Sequence, residues 1–339
     1  MATMKEIAEL SGVSRGTVDR VLNHRGTVSP ETERKVLEIA RLLDYQPNRA
    51  GIALAAQKKK FKIGVLLFGV ENPFFDEVME GLKDKLDELS IYGCTIVEKR
   101  IPLDVKSQLA AIDELVEEKI HGLILAPCND IKIQKKIDRL WECNIPCVTV
   151  NTDMPQSKRI AYVGSDYLKC GQTAAGLLAL LTGGKAKVGI VTGSHSVLCH
   201  EERVCGFTSY LHQKHPGIHI ADIVENHDDD YRSYEAVSLL LEKHPDLSAL
   251  YFTAAGVYGG CRAIINAALP QAPKVITFDA VPSTKEMIKK GVISATICQQ
   301  PNEQGALSLA LLVDYLLGGK PPEKNCIYMD LNIKIAENL

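Results

Sequence analysis

Three short helical patterns follow one another between Thr3 and Leu43 with room only for tight turns, which restricts this stretch to a small all-α bundle. Thr3-Met4-Lys5-Glu6 has the form of a capping box, in which the Thr3 hydroxyl and the Glu6 carboxylate satisfy amides that a starting helix leaves unpaired. That helix runs to about Leu10. Ser11-Gly12-Val13 supplies the bend, and Ser14 caps a second helix that reaches Asn23. Ser29-Pro30-Glu31 opens a third, with a capping serine and proline at the first helical position. Ile7, Ala8, Leu10, Val13, Val18, Val21 and Leu22 close a core with Val36, Leu37, Ile39, Ala40, Leu42 and Leu43.

This spacing leaves Arg15, Gly16, Thr17, Asp19 and Arg20 facing outward at the amino end of the second helix, the part of a helix-turn-helix that enters a major groove. Charge agrees with a nucleic-acid partner. Residues 1–62 carry 12 Lys and Arg against 7 Asp and Glu, whereas the remainder carries 27 against 35. A basic head on an acidic body suits contact with phosphate confined to the head.

Ile7-Ala8, Gly12-Val13-Ser14, Thr17-Val18, Arg20-Val21-Leu22-Asn23, Val28-Ser29, Thr32, Lys35-Val36 and Tyr45-Gln46-Pro47-Asn48-Arg49-Ala50 together resemble the head of the LacI family of bacterial transcription regulators. The resemblance implies a homodimer that lays two recognition helices into a near-palindromic operator in double-stranded DNA. It places DNA contacts at Thr3, Ser14, Arg15, Gly16, Thr17, Arg20, Asn23 and His24. Gly16 has no side chain to read bases with, so discrimination falls on Arg15, Arg20 or groove shape. Asp19 stands where the family has a small hydroxyl residue; it accepts a cytosine amine or pairs with Arg15. Asn48 to Ala55 resembles the family's hinge helix, with Asn48 and Arg49 at its start and Leu54 as an apolar wedge for the minor groove. The expected division is 1–46 for the helix-turn-helix domain, 47–60 for hinge and linker, and 61–339 for the effector-binding body.

From Lys62 onward, apolar β-rich runs alternate with amphipathic helical segments, which is the pattern of a parallel sheet covered on both faces. One sheet with that many strands is unwieldy, so the fold class is α/β with two Rossmann-like lobes behind an all-α head. The body resembles the type I periplasmic sugar-binding proteins. That implies an N-lobe of about 61–163 and 298–326, a C-lobe of about 164–297 and 327–339, and crossovers near Gly164, Ile297 and Ile327. It implies an effector site between the lobes: Asn72, Phe74 and Phe75 after the first strand, Asn151 and Thr152 as a polar pair, Arg203 as a fork onto oxygens, Tyr231 as a second stacking aromatic, and Phe278, Asp279 and Gln299 closing the far side. The implied ligand is a sugar or sugar derivative. Thr253-Ala254-Ala255-Gly256 departs from the family's polar pair after the middle strand of the second lobe, which leaves a purine or other non-sugar effector open.

No apolar run reaches the roughly 18–20 residues of a membrane span and no charged-then-apolar leader opens the chain, so a cytoplasmic protein is expected. Ten cysteines without a Cys-x-x-Cys pair read as reduced, mostly core residues. His195, His200, His212, His215, His219 and His227 lack a metal-binding spacing and read as surface or strand-edge groups, and Asp228-Asp229-Asp230 reads as a helix start. Neither Gly183-Gly184-Lys185 nor Gly318-Gly319-Lys320 forms a phosphate loop; both end helices. The expectation is therefore a regulator, most simply a repressor, without catalytic residues, metal or cofactor. No leucine-rich tail follows Leu331, so assembly is expected to stop at dimers. A head that docks to protein instead of DNA is the rival reading.

Overall fold

The computed structural model of the chain describes residues 2–22, 27–45, 56–57, 59–69, 72–194 and 197–339. At the amino end, α1 (Met4–Ser11), α2 (Arg15–Leu22) and α3 (Pro30–Leu42) enclose Ile7, Ala8, Val18, Val21 and Val36. The Thr3 capping box is formed, the Glu6 amide donating to Thr3 Oγ1 at 3.3 Å and the Thr3 amide to Glu6 Oε2 at 2.7 Å. Gly12 ends α1 at φ +70°, a left-handed conformation that glycine adopts without a Cβ penalty. Three leucines expected in this core lie outside it: Leu10 is 60% exposed, Leu37 41% and Leu42 79%. Each helix of so small a bundle buries one narrow stripe, and these leucines fall on its flanks.

The body begins with β1 (Lys62–Phe68), α4 (Pro73–Glu88), β2 (Thr95–Ile101), α5 (Val105–Glu117), β3 (Gly122–Leu125), α6 (Ile131–Glu142), β4 (Cys147–Asn151) and β5 (Ala161–Gly164). A second series follows: α7 (Tyr167–Thr182), β6 (Ala186–Thr192), α8 (Leu198–Lys214), β7 (Ile218–Glu225), α9 (Asp230–Lys243), β8 (Ala249–Phe252), α10 (Val257–Ala267), β9 (Lys274–Phe278), α11 (Pro282–Lys289) and β10 (Ala295–Cys298). Then α12 (Pro301–Gly318) and β11 (Cys326–Tyr328) return to the first sheet, and β12 (Asn332–Lys334) joins the second.

The sheets have strand orders β11-β5-β4-β3-β1-β2 and β12-β10-β9-β8-β6-β7. Among the described residues every paired strand is parallel except β12, which runs against β10. The chain thus passes between sheets after Gly164, between Cys298 and Pro301, and between Tyr328 and Asn332. All the central strands point their carboxyl ends toward the connections that carry the candidate site.

Each sheet has a helix pair whose backbones nearly touch through a glycine on both helices. In the first, α12 crosses α4 so closely that a Cβ on Gly81 would lie 1.9 Å from the Asn302 carbonyl oxygen, and one on Gly305 2.0 Å from that of Val78. In the second, α7 crosses α8 with Gly206 facing the Leu168 oxygen at 2.1 Å and Gly171 the Arg203 oxygen at 2.2 Å by the same measure. Val78 and Arg203 therefore hold equivalent places, one in each lobe. The ten cysteines are unpaired; Cys128, Cys147, Cys170, Cys199 and Cys261 are buried, while Cys143 and Cys205 are exposed rather than in the core.

Candidate effector cleft and DNA-reading helix

Between the carboxyl ends of the two sheets lies a cleft of about 480 Å³, within the range of small-molecule sites. Its first-lobe wall starts where β1 gives way to α4. Asn72 caps that helix, its Oδ1 accepting the Phe74 amide at 3.1 Å, and Pro73 occupies the first turn. This capped turn sets Phe74 and Phe75 on the cleft, with Phe75 edge-on to both Phe68, at 5.0 Å, and Phe74, at 5.3 Å. At the end of β4, Asn151 takes φ +64°. The hydroxyls of Tyr162, at 2.8 Å, and Tyr167 both donate to the Asn151 carbonyl, and Asn151 Nδ2 donates to the Tyr167 hydroxyl at 3.1 Å. Tyr167 opens α7, so this knot joins β4 to the first crossover.

The second-lobe wall is built around Arg203, which α8 buries to 4% exposure. Its guanidinium lies 3.8 Å over the Phe278 ring and 4.8 Å from that of Tyr167, and Nη1 donates to the Thr253 carbonyl at 2.5 Å. Nε and Nη2 are buried without a hydrogen-bond partner. Unpaired charged donors are expensive in a protein interior, and Arg203 lines a cavity able to hold an acceptor. Asp279, at φ +62° after β9, receives Gln299 Nε2 on both carboxylate oxygens at 2.8 and 3.0 Å. Burial pushes the Asp279 carboxyl up to about 6, with the charge of Arg203 pulling the other way. Gln299 Oε1 is buried without a partner.

Asn72, Phe74, Phe75, Asn151, Arg203, Phe278, Asp279 and Gln299 thus meet at one cavity. Two expected members do not. Thr152 is fully buried behind Asn151 and off the lining, because the turn at Asn151 sends the next side chain into the protein. Tyr231 is 71% exposed on the outer face of α9, since Asp229 caps that helix through the Arg232 amide at 2.8 Å and the following turn carries Tyr231 away.

Asp228 and His200 come to the cleft instead. His200 is buried, correcting its reading as a surface group; its Nε2 lies 3.8 Å from Asp228 Oδ1. Asp228 also accepts the Ala255 amide at 3.0 Å, and Asn226 Nδ2 donates to the Ala255 carbonyl at 2.7 Å, so the loop with no polar pair of its own is held from β7's end. Asp229 does cap α9, but Asp230 turns to the Gly259 amide of α10 at 2.9 Å. Asp228 follows β7, an edge strand that the sequence pattern does not mark, so its place at the cleft carried no local signal. Among the described residues no group of three or more His, Cys, Asp or Glu could hold a metal ion.

In the head, the Ser14 hydroxyl accepts the Thr17 amide at 3.1 Å and pairs with the Thr17 hydroxyl at 3.0 Å, fixing the start of α2. Arg15 and Gly16 are exposed on its first turn. Arg20 is exposed but folds back, Nε donating to the Gly16 carbonyl at 3.2 Å and Nη2 to Thr17 Oγ1 at 3.3 Å. Asn23, His24, Asn48, Arg49 and Leu54, assigned to DNA contact by resemblance, lie outside the described residues.

A family model described as bacterial regulatory proteins of the lacI family matches residues 3–48, and one described as a periplasmic binding protein domain matches residues 63–321. The chain is a LacI-family bacterial regulator. It is 28% identical to a ribose operon repressor of Halalkalibacterium halodurans over 92% of this chain and 90% of that one. It is 26% identical to catabolite control protein A of Priestia megaterium over 93% and 92% of the two chains. The body is similar to a glucose-galactose binding protein from Geobacillus stearothermophilus, with a TM-score of 0.76 and 28% identity over 82% of this regulator and 98% of that protein. Among the described residues of this LacI-family regulator, no helix is long and apolar enough to cross a membrane.

Proposed function

We propose that this regulator binds operator DNA as a homodimer and represses transcription, its grip set by a small hydroxylated ring held between the lobes. The observation that carries the ligand reading is the unpaired edge of Arg203: two buried donors of a planar guanidinium, fixed on the Phe278 face, in a residue that lines the same cavity as Phe74 and Phe75. A sugar ring supplies what this needs, with oxygens for the fork and apolar C–H faces for the aromatics. Relatives named ribose operon repressor, and a structural neighbour named for glucose and galactose, support a ring of monosaccharide size.

The ligand contacts both lobes and so favours one angle between them. Through the dimer, that angle sets the separation of the two hinge segments and the seating of the Leu54 pair in the minor groove. Arg15 reads bases, while Arg20, tied to Gly16 and Thr17, stiffens the reading helix and lies beside the phosphates. The test is selection of duplexes from a random pool by the full-length protein, followed by affinity measurement across salt and a panel of monosaccharides. A selected near-palindrome is expected, with log affinity falling by about 0.9 per neutralised phosphate for each unit of log salt. Failure to enrich any duplex would overturn the DNA reading; an enriched operator indifferent to every sugar would overturn the ligand reading.

A further inference from the structure

The charged groups around the cleft are unevenly divided in sign. On the second-lobe wall, Asp228 and Asp279 present carboxylates and Gln299 an amide oxygen, while Asp229 and Asp230 lie at the same mouth. Among the described residues that line the cavity, Arg203 is the only Lys or Arg, beside His200 and His227. Part of this negative charge is spent on backbone amides, through Asp229 on α9 and Asp230 on α10. Asp228 keeps one backbone amide, that of Ala255, and His200 Nε2 at 3.8 Å, and Asp279 keeps the Gln299 amide, so neither carboxylate has a cation in hydrogen-bond contact. Gln299, 1% exposed, donates through Nε2 to both oxygens of the Asp279 carboxylate, and its buried Oε1 has no partner. Reversing that amide would put its oxygen against the carboxylate, so the assignment holds and leaves a buried acceptor without a partner in a residue that lines the cavity.

A neutral sugar satisfies Arg203 but brings hydroxyls that are each half donor and half acceptor. An anionic sugar satisfies Arg203 better, yet brings its charge among four aspartates. An ammonium group carries three donors and no acceptor, the complement of Asp279, Asp228 and the Gln299 oxygen. We propose that the effector is a hydroxylated ring bearing a basic amine, its hydroxyls on Arg203 and its ammonium on the Asp228, Asp279 and Gln299 side of the cleft. This rests on the reading of the cleft as the effector site and narrows it from sugars to amino sugars and aminocyclitols. Burial of Asp279, with its carboxyl held near 6, fits a group that gains from an arriving cation.

The experiment is calorimetric titration of the full-length protein with matched sets: glucosamine, glucose, N-acetylglucosamine and glucose 6-phosphate, the same four for galactose, and an inosamine with its parent inositol. At least one amine is expected to bind ten-fold or more tightly than its hydroxyl parent and its N-acetyl form. That advantage should shrink at least ten-fold in Asp279→Asn and, separately, in Asp228→Asn. Asp279→Asn keeps the shape of the site, and so serves if loss of the Ala255 contact unfolds Asp228→Asn. Tighter binding of a neutral or phosphorylated sugar, an amine advantage unmoved by either substitution, or silence of every amine would overturn the proposal. Binding by a neutral or anionic sugar alone would leave the effector-cleft reading standing; silence of all compounds, with no shift in operator affinity, would take both down.

Discussion

The two lobes share a scaffold and differ in what it presents. Gly81 and Gly305 bring α4 and α12 together just as Gly206 and Gly171 bring α8 and α7, each glycine three residues beyond a carbonyl that faces the partner helix. At equivalent places on those helices the first lobe has Val78, fully buried in its core, and the second has Arg203, buried at the cleft. The first wall is therefore aromatic and preformed, while the second holds charge that only a ligand completes. The comparison teaches that backbone contact is conserved between the lobes as a packing solution, and binding chemistry is laid on one of them by single side chains.

The largest effect should come from the packing that the lobes share. Gly305→Ala and Gly171→Ala each drive a methyl onto a backbone oxygen about 2 Å away, and each should cost about 3 kcal/mol in urea denaturation, at the upper end for overpacking. A large loss in one and none in the other would break the equivalence. Next comes the asymmetry. Arg203→Ala should weaken effector binding by about 2 kcal/mol, roughly 30-fold, as expected for lost hydrogen bonds from a charged donor, while operator binding without effector persists. Loss of DNA binding with an intact effector response would reverse the assignment.

A smaller effect concerns acidity. The folded Asp279 carboxyl is raised to about 6, from an ordinary value of 3.8, by desolvation, so its share of stability is full below about 4 and is lost as pH rises through 6. Asp279→Asn should therefore gain in melting temperature relative to the parent between pH 4 and 7, in the absence of effector. A difference that stays constant with pH would count against a buried ionised carboxylate. The smallest effect is expected at Tyr231: Tyr231→Ala should leave effector affinity and stability within about 0.5 kcal/mol, as for other exposed positions. A ten-fold loss would return Tyr231 to the cleft.

Where the chain reports packing periodicity, the fold was legible. Fully buried central strands such as Gly122–Leu125 and Ala249–Phe252 read as unbroken apolar runs, and the capped starts at Thr3 and Ser29 read directly as helix openings. The edge strands β2 and β7 were not named from sequence, because their exposed sides mix His219, Asp222, Glu98 and Lys99 with apolar residues. The cleft was legible wherever a residue sits in a motif with a fixed local geometry, as at Asn72-Pro73-Phe74-Phe75. It was illegible at Tyr231 and Asp228, where a shift of a few residues along one loop decides which side chain turns inward. His200 was missed because nothing local distinguishes a histidine packed over Asp228 from one in solvent. Leu10, Leu37 and Leu42 show the same limit in the head: helical period names a stripe, and the partner helix decides its width.

The central claim is that ligand in the cleft and operator on the head bias one equilibrium. Affinity of the full-length protein for its effector, measured by fluorescence or calorimetry with and without a saturating selected operator, tests it most directly. Linkage predicts that the operator changes effector affinity by the same factor as effector changes operator affinity, about 5- to 150-fold. Identical effector affinity in both conditions would contradict the account.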